Sequence, residues 1–476
     1  MFLLFALVPL AAQTTVCFAA AAAPSAETKP PNILVLVSDD QRPDTLGVFG
    51  NSLIRTPHLD ALAARGTRFT RATCSNPICT PSRAEIMTGA SGFRNGVGYF
   101  GGKIRPEMAL WADTFRQAGY ETCYVGKWHN DGTPQTRGYV RTRGLYRGGG
   151  GKWAVPSFDW NGRPVTGYRG WIFYDEEGKP QPKYGTGLTA GISQHFADDA
   201  SAVIEEAGDR PFFLHVNFTA PHDPLLMPYG YEAMYNPDEM PVPENFLAEH
   251  PFDHGNFDGR DERLFEWPRT PKMVRDELAV YYAVISHLDA QIGRVLAALE
   301  KSGQQDNTIV IFTSDHGLAV GSHGLRGKQS MYEHTIGVPL ILAGPGIPRN
   351  EHRDAQCYLR DLFPTTCDLA GLEIPDSVEG RSLRPVLDGS REEIYEAVFG
   401  MFRNSQRMIR TAGWKLIDYP QAGRRQLFDL QHDPLEKNDL SRDPQHMAKQ
   451  QELLARLRTW QREHDDPVLK TSSGTP

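Results

Sequence analysis

The chain has 476 residues, of which 40% are hydrophobic and 23% are charged, so it is long enough for one large domain with an appendage or for two to three domains. Its formal net charge of −8 at pH 7 argues against a nucleic-acid-binding protein, which would need a basic face. That charge does not exclude a local basic pocket for an anionic substrate.

The N-terminus has the composition of a secretory signal peptide. Residues 1–23 contain no charged residue, residues 2–12 form an apolar run, and small residues precede Pro24. We predict that residues 1–23 are cleaved and that the protein is exported, to the periplasm or the extracellular space. An uncleaved anchor and a wrongly assigned start are the alternatives, because no basic residue lies near Met1. No later run is long and apolar enough to span a bilayer, so we expect no membrane partner after cleavage.

Four short apolar runs rich in β-branched residues each end in polar residues. The runs cover residues 33–37, 122–125, 212–218 and 308–312, and the polar residues that follow them are Asp39, Asp40, Lys127, His129, His222, Asp315 and His316. Such runs are typical of buried parallel strands, and the clearest helical periodicity between them covers residues 273–301. The alternation predicts an α/β fold with a large, mostly parallel sheet flanked by helices, in which ligands collect at the carboxyl ends of the strands.

Three other stretches differ from this pattern. Residues 131–189 are rich in Gly, Arg and aromatic residues, and we predict a long insertion beside the active site. Residues 227–270 have the composition of a second loop. Beyond residue 374, short runs typical of antiparallel strands precede an amphipathic helix over residues 445–464. We therefore predict a catalytic domain over residues 31–373 and a small C-terminal α+β subdomain with an antiparallel sheet over residues 374–476.

Six cysteines are present, and Cys17 falls in the predicted signal peptide. The other five are Cys74, Cys79, Cys123, Cys357 and Cys367. If Cys79 has a separate role, the remaining four can form two disulfides in an oxidising compartment or stay as small buried thiols. The sequence leaves both alternatives open.

The segment Cys79-Thr80-Pro81-Ser82-Arg83 is the most informative motif of the chain. Together with its neighbours over residues 77–89, it resembles the signature of the type I, formylglycine-dependent sulfatases of the alkaline-phosphatase-like superfamily. The resemblance implies that a formylglycine-generating enzyme oxidises Cys79 to formylglycine, whose hydrate attacks sulfur. It also implies that Arg83, one helical turn later, pairs with metal-ligating carboxylates and contacts the hydrate.

A second segment, residues 119–129, is similar to the second signature of the same family. By that resemblance Lys127 contacts the sulfate, and His129 takes a proton from the hydrate when sulfate is expelled. His222 resembles the histidine that protonates the departing alcohol, and Lys328 resembles a second sulfate-binding lysine. Cationic donors suit a sulfate anion, and histidine suits proton transfer near neutral pH.

Asp39, Asp40 and Asp315 are the candidate metal ligands. Their carboxylates are hard oxygen donors, which suit Ca²⁺, or alternatively Mg²⁺, better than Zn²⁺. The family resemblance implies Ca²⁺, with an oxygen of the hydrate at Cys79 as a further ligand. His316 stands where many members of the family have Asn, and the sequence leaves open whether it binds the metal or only hydrogen-bonds nearby.

Further residues are candidates for contacts with the substrate. His323 and His334 flank Lys328 and are candidates to line the substrate pocket, with ordinary loop histidines as the alternative. Arg141, Arg143, Arg147 and Lys152 are candidates for a basic rim, with Trp153 or Trp171 stacking on sugar rings. The alternative is a solvated loop.

The resemblance covers residues 32–440, and the Asp315-His316 pair is typical of the choline-sulfatase-like and iduronate-sulfatase-like branches. We predict hydrolysis of a sulfate ester, with a sulfated glycan preferred over small esters such as choline sulfate or aryl sulfates. A phosphonate monoester or phosphodiester hydrolase is the first alternative, because some relatives share the Cys-x-Pro-Ser-Arg nucleophile. A non-enzymatic glycan-binding protein is the second.

Overall fold

The computed structural model describes residues 1–2, 29–208 and 210–471. The predicted signal peptide, including Cys17, lies outside the described residues except for Met1 and Phe2, so its prediction is not tested. Within the described part of the chain, no helix is long and apolar enough to cross a membrane.

Fifteen strands are present among the described residues. They are β1 (Asn32–Ser38), β2 (Gly66–Phe69), β3 (Ala72–Thr73), β4 (Glu121–Lys127), β5 (Arg141–Gly148), β6 (Trp171–Tyr174), β7 (Phe212–Asn217), β8 (Thr308–Ser314), β9 (Leu340–Ala343), β10 (Glu351–Arg353), β11 (Cys357–Tyr358), β12 (Ala397–Phe402), β13 (Gln406–Thr411), β14 (Trp414–Tyr419) and β15 (Arg424–Asp429).

Eleven α-helices accompany these strands in the same described ranges. They are α1 (Pro57–Ala64), α2 (Cys79–Thr88), α3 (Gly92–Asn95), α4 (Trp111–Gln117), α5 (Ile192–Glu206), α6 (Pro271–Lys301), α7 (Glu333–Ile336), α8 (Leu362–Ala370), α9 (Arg384–Leu387), α10 (Met447–Glu463) and α11 (Pro467–Thr471).

A nine-stranded sheet organises the molecule, with the strand order β10-β2-β9-β8-β1-β7-β4-β5-β6. The four strands predicted from the apolar runs are neighbours at its centre, in the order β8-β1-β7-β4, and all their pairings are parallel. Their carboxyl ends therefore meet at one edge of the sheet. The predicted α/β fold with a mostly parallel sheet is confirmed, and antiparallel strands complete it on both sides.

The central strands are buried on both faces because helices cover the sheet from both sides. In β1, Leu34 and Leu36 pack in one core cluster with residues of α5 and α6. The alternate residues Ile33 and Val35 pack in a second cluster with residues of α4 and α8. This division follows the two-residue repeat of a strand, and it explains the continuous apolar runs of the sequence.

The longest helix, α6, begins where the sequence provides a cap. The hydroxyl of Thr270 accepts a hydrogen bond from the N–H of Met273 at 3.2 Å, and Pro271 occupies the first turn, where a missing N–H costs nothing. The apolar face of α6 then packs into the first core cluster. The helix predicted over residues 273–301 is thus present with nearly the same bounds.

The C-terminal part forms a separate four-stranded antiparallel sheet, β12-β13-β14-β15. Leu453 and Leu457 of α10 pack on one face of it. The other face packs against Ile78 and Tyr332 of the catalytic part, so this sheet supports the region that holds Cys79. The boundary between residues 373 and 374 stays a prediction.

Two expectations are refined by the structure. The segment 131–189, predicted as an aperiodic insertion, contributes β5 and β6 to the edge of the large sheet. The five described cysteines are free and buried, as in the buried-thiol alternative.

Candidate active site

The carboxyl ends of the central strands assemble a cluster of charged residues. Asp39 and Asp40 follow β1, Asp315 follows β8, and Lys127 ends β4. All four residues have 0% exposure. Because the parent strands are parallel neighbours, residues far apart in sequence become adjacent at this edge.

Local backbone geometry helps to place two of them. Asp40 adopts a φ of +66°, and its N–H donates to Oδ1 of Asp315 at 3.2 Å. Gly126, just before Lys127, has a φ of +96°, and a Cβ atom there would lie 2.0 Å from the carbonyl oxygen of Asn217. Only glycine allows β4 to approach β7 so closely at the residue that precedes the lysine.

Asp39 is the most extensively contacted carboxylate of the site. Its Oδ2 accepts hydrogen bonds from Nζ of Lys127 at 2.5 Å and from Oη of Tyr168 at 2.6 Å. Burial alone would raise the pKa of Asp39, but the positive charges of Lys127, His222 and Arg83 hold it well below its usual range. These charges favour the ionised form of Asp39, which is the form that binds a cation.

Arg83 connects three strand ends from its position in the first turns of α2. Its Nη2 lies 2.9 Å from Oδ2 of Asp315 and 3.5 Å from Oδ1 of Asp39. A second guanidinium nitrogen donates to the side-chain oxygen of Asn217. Two of the three carboxylates proposed as metal ligands, Asp39 and Asp315, are thus within ion-pair distance of Arg83.

Cys79 is the first residue of α2, and its thiol lies at the centre of the site. Sγ is 3.4 Å from Oδ1 of Asp39, 3.3 Å from Nε2 of His316 and 3.5 Å from Nζ of Lys328. Burial raises the pKa of this thiol, but Lys127, Lys328 and His316 lower it well below its usual value. The surroundings of Cys79 thus stabilise a negative charge on the terminal atom of its side chain.

Lys328 and two histidines surround Asp40. Nζ of Lys328 donates to Oδ1 of Asp40 at 2.8 Å and to Oδ2 at 3.0 Å. His222 Nε2 lies 3.8 Å from Oδ2 of Asp40, and His316 Nδ1 lies 3.3 Å from its Oδ1. The second predicted lysine and the predicted His222 therefore reach the same cluster as Cys79.

The donor set fits a divalent cation that prefers oxygen. Two overlapping groups place their ligand atoms within 4.8 Å of one another: Asp39, Cys79, Asp315 and His316, and Asp39, Asp40, Cys79 and His222. Burial and then the neighbouring charge of Asp39 raise the pKa of Asp315 to about 7. Carboxylates crowded in this way repel one another, and a hard cation such as Ca²⁺ or Mg²⁺ relieves that repulsion.

Two histidines at the site have opposite pKa shifts. Burial, assisted by the charge of Lys127, lowers the pKa of His129 to about 4, and its Nδ1 is buried without a hydrogen-bond partner. For His222, burial also favours the neutral form, but Asp40 and Asp223 outweigh it and raise the pKa above its usual value. Neutral His129 can accept a proton, whereas protonated His222 can donate one.

Two residues of the site were not predicted from the sequence. Tyr168 lies in the insertion, where no periodicity marks it, yet its hydroxyl donates to Asp39 and its ring lies 5.1 Å from Nζ of Lys127 and 4.8 Å from the ring of His222. Asn217 binds Arg83. Asn217 is a polar residue at the end of an apolar run, like Asp39, so the same rule could have predicted it as a site residue.

The weaker substrate-binding candidates lie away from the cluster. His323 and His334 do not line the active-site cavity, because their loop folds under the C-terminal sheet. The ring of His323 stacks on Tyr332 at 3.9 Å, and its Nε2 contacts the carbonyl oxygen of Glu436 at 2.9 Å. His334 is buried beside them.

The predicted basic rim is divided by the structure. Arg143 pairs with Glu206 of α5 at 2.6 Å and is not part of the cavity lining, and neither are Arg141, Lys152 and Trp153. Trp153 packs beside the second core cluster instead. Of the rim candidates, Arg147 and Trp171 line the cavity.

A cavity of about 1210 Å³ opens above Cys79. Aromatic rings form one wall, with the ring of Trp171 at 5.2 Å and that of Phe100 at 5.6 Å from His129. The loop over residues 253–263 forms another wall, and Gln329, Arg403 and Gln421 add polar groups. This volume accommodates a ligand considerably larger than a sulfate ion.

Carboxylates, cations and a buried thiol at the carboxyl edge of a parallel sheet define the class of the protein: a hydrolase for esters of a tetrahedral oxyanion. The family described as Sulfatase matches residues 31–372, and the family described as N-sulphoglucosamine sulphohydrolase, C-terminal, matches residues 321–463. The chain therefore belongs to the sulfatase family and is a sulfuric ester hydrolase.

One curated relative and two solved structures illustrate the similarity. An arylsulfatase of Clostridium perfringens is 32% identical, over 86% of this chain and 90% of its own. The phosphonate monoester hydrolase of Agrobacterium radiobacter has a TM-score of 0.76 at 24% identity, covering 92% of this chain and 97% of its own. A protein in complex with its substrate D-glucosamine-2-N,6-O-disulfate has a TM-score of 0.74 at 24% identity, covering 92% and 99%. The two structures confirm the fold.

Proposed function

We propose that this sulfatase removes sulfate from a sulfated carbohydrate after export from the cytoplasm. The observation that carries the proposal is the position of Cys79, whose Sγ lies within 3.5 Å of a carboxylate, a histidine and a lysine at the floor of a cavity of about 1210 Å³. The lysines and the arginine of the floor are suited to the sulfate group of an ester, and the aromatic and polar walls suit a sugar. A relative by fold acts on a sulfated amino sugar, which supports this choice.

We propose that a formylglycine-generating enzyme converts Cys79 to formylglycine, as in the family that the chain resembles. The hydrated aldehyde supplies the oxygen nucleophile, and its second hydroxyl permits release of sulfate with the aldehyde restored. Asp39, Lys328 and His316 surround residue 79 and would orient that hydrate. The start of α2 at residue 79 adds the positive end of a helix dipole.

We propose that Asp39, Asp40 and Asp315 hold a Ca²⁺ ion, with Mg²⁺ as the alternative and His316 as a fourth protein ligand. A bound cation would lower the pKa of the attacking hydroxyl and neutralise charge on the substrate. Lys127 and Lys328 each donate to one of these carboxylates and place positive charge at residue 79, so we assign their ammonium groups to the sulfate oxygens. Arg83 holds Asp315 and Asp39 in place from the opposite side.

The two histidines take complementary roles in the proposed reaction. The pKa of His129, lowered to about 4 by burial, keeps its imidazole neutral, so it can accept the proton of the hydrate when sulfate leaves. The raised pKa of His222 keeps a proton available for the oxygen of the departing alcohol. Environments that separate two pKa values in this way assign a base and an acid.

Two other functions compete with this one. A phosphonate monoester or phosphodiester hydrolase would use the same cationic floor, and a protein of that activity shares the fold. A non-enzymatic glycan-binding protein would have the same walls, but it would not need the buried cluster of three carboxylates and the opposite pKa shifts of His129 and His222.

The test is anion release measured by ion chromatography. The protein is co-expressed with a formylglycine-generating enzyme, and conversion of Cys79 is verified by peptide mass. The substrates are sulfated mono-, oligo- and polysaccharides, choline sulfate, an aryl sulfate and a phosphonate monoester. We expect sulfate from one class of sugar. Release of phosphonate alone, or silence with Cys79 converted, would contradict the proposal.

A further inference from the structure

Arg147 differs from the other basic residues of β5, because no acidic partner is found for it in the part of the chain that the structure describes. Arg141 lies within ion-pair distance of Glu121 and Glu206, and Arg143 pairs with Glu206. For Arg147, no carboxylate among the described residues lies within 4.0 Å of its guanidinium, and its Nε is buried without a hydrogen-bond partner. The half-buried Arg147 lines the active-site cavity beside Gly148 and Trp171.

A β-bulge explains why Arg147 and Arg143 have different surroundings. In the register of β4 and β5, Val125 pairs with Arg143 and Gly126 pairs with Leu145, so Gly144 is an extra residue. In a regular strand, residues four positions apart such as Arg143 and Arg147 share one face, whereas the bulge places them on opposite faces. Gly144 has a φ of +55°, and a Cβ atom there would lie 2.2 Å from a carboxylate oxygen of Asp199, so glycine is required.

The packing around β5 confirms the change of face. Before the bulge, Arg143 contacts α5 through Glu206. After it, the guanidinium of Arg147 lies 4.5 Å from the ring centre of Tyr174, whose core cluster is on the opposite face of the sheet from α5. The Tyr174 ring supports the guanidinium by a cation–π contact, and no acceptor among residues 29–208 and 210–471 binds the buried Nε of Arg147.

Trp171 lines the same cavity as Arg147 and lies close to the reactive centre. Its ring is 5.2 Å from the ring of His129, and its backbone pairs with Gly148, the neighbour of Arg147. A cavity lined by both an aromatic ring and an arginine is suited to a sugar that carries a negative group. A sulfated sugar bound at Cys79 would extend its neighbouring ring along this wall.

We propose that Arg147 binds a second anionic group of the substrate, a carboxylate or a sulfate on the saccharide, while Trp171 contacts a sugar ring. The substrate is then a saccharide with at least two negative groups, of which one is the sulfate that is cleaved. This inference rests on the proposed function, and it assigns substrate specificity to Arg147 and the bulge at Gly144, not to the basic rim as a whole.

The test compares Arg147→Gln and Arg147→Lys with Arg143→Gln, which removes an equal charge from the other face of the same strand. Four probes are used: a monosulfated disaccharide with a free uronate, its uronate methyl ester, a disulfated disaccharide without a carboxylate, and p-nitrophenyl sulfate. The uronate and disulfate arms distinguish the two sources of the second charge. For each variant, kcat and KM are measured separately on every probe.

We expect Arg147→Gln to reduce kcat/KM for at least one doubly anionic probe, relative to p-nitrophenyl sulfate, by about 10- to 100-fold, as for loss of a charge-assisted hydrogen bond. The loss should fall mainly on KM and be smaller for Arg147→Lys, which keeps the charge without the fork. For Arg143→Gln, the ratio of kcat/KM on a doubly anionic probe to kcat/KM on p-nitrophenyl sulfate should stay within about twofold of the wild-type ratio. Equal losses on all four probes, or equal ratios in Arg147→Gln and Arg143→Gln, would overturn the proposal.

A binding measurement separates this inference from the proposed function. The variants Cys79→Ala and Cys79→Ala/Arg147→Gln are titrated with the same disaccharides by calorimetry, so catalysis is not needed. Weaker binding of a doubly anionic probe by the double variant, with no change for the methyl ester, supports Arg147 even if the wild type releases no sulfate. Unchanged binding of every probe would overturn the role of Arg147 while leaving sulfatase activity intact.

Discussion

The catalytic centre and the wall of the cavity are built on different principles. At the centre, Asp39, Lys127 and Asp315 extend from the ends of buried parallel strands, and each has 0% exposure. On the wall, β5 has Arg143 on one face and Arg147 on the other because the bulge at Gly144 interrupts the regular alternation of its side chains. The positions of the central residues depend on the order of the parallel strands. The positions of the two wall arginines depend on a local irregularity of the backbone. Chemistry and specificity are therefore encoded separately in this chain.

The largest effect is expected from changing the centre itself. Cys79→Ser should fold and bind substrate, because the buried site and its charge pairs remain. It should lose at least about 10³-fold in kcat, since serine provides no second hydroxyl for release of sulfate. The measurement is sulfate release together with a thermal melt that verifies folding. Full turnover by this variant would contradict the formylglycine mechanism.

Most residues of the catalytic centre could be predicted from the sequence. Asp39 and His222 follow apolar runs, so the rule for strand ends in parallel sheets brought them together without any alignment. The bulge at Gly144 could not be predicted, because an extra residue in a strand has no periodic signature and shows only in the pairing with β4. Tyr168 was missed for a similar reason, since its approach to Asp39 depends on a positive φ of 57° in an aperiodic segment.

A large but selective effect is expected for the proposed acid. His222→Gln should reduce kcat/KM by about 10²- to 10⁴-fold on a sugar sulfate, whose alcohol leaves only with a proton. The loss should be much smaller on p-nitrophenyl sulfate, because p-nitrophenolate leaves without protonation. His129→Gln is the matched control and should impair both substrates alike, since its proton comes from the hydrate. Equal losses on both substrates for His222→Gln would remove it from the role of acid.

The pH dependence of kcat provides an independent test of His222 as the proposed acid. Because Asp40 and Asp223 raise the pKa of His222 above its usual value, the acid form is present at neutral pH and is lost as the pH rises through that pKa. The profile of kcat for a sugar sulfate should therefore have a descending limb on the alkaline side, above about pH 6.5. In His222→Gln this limb should disappear, while a limb that persists unchanged would assign it to another group.

A smaller effect is expected for Tyr168, which lies where the insertion meets the centre. Tyr168→Phe keeps the ring beside Lys127 and removes only the hydroxyl that donates to Asp39 at 2.6 Å. Outer residues that orient a ligand typically contribute about 10- to 100-fold to metal affinity or activity. We therefore expect the calcium concentration needed to restore the chelated enzyme to rise by about 10- to 100-fold, measured by a thermal melt as well as by turnover. An unchanged calcium requirement would show that Asp39 is held by Lys127 and Arg83 alone.

The smallest effect on activity is expected for His323, which the sequence suggested for the cavity but which lies under the C-terminal sheet. Burial lowers its pKa to about 4, so the unfolded chain binds a proton more readily than the folded chain below pH 6.5. Stability from this group is therefore complete at alkaline pH and is lost as the pH falls from about 6.5 to 4, by about 2 kcal/mol between pH 8 and 5. His323→Phe, whose ring can stack on Tyr332 in the same way, should reduce this pH dependence in urea unfolding and leave kcat/KM within about twofold. A reduced kcat/KM with an unaltered pH dependence of stability would contradict this expectation and would indicate that His323 contributes to the active site.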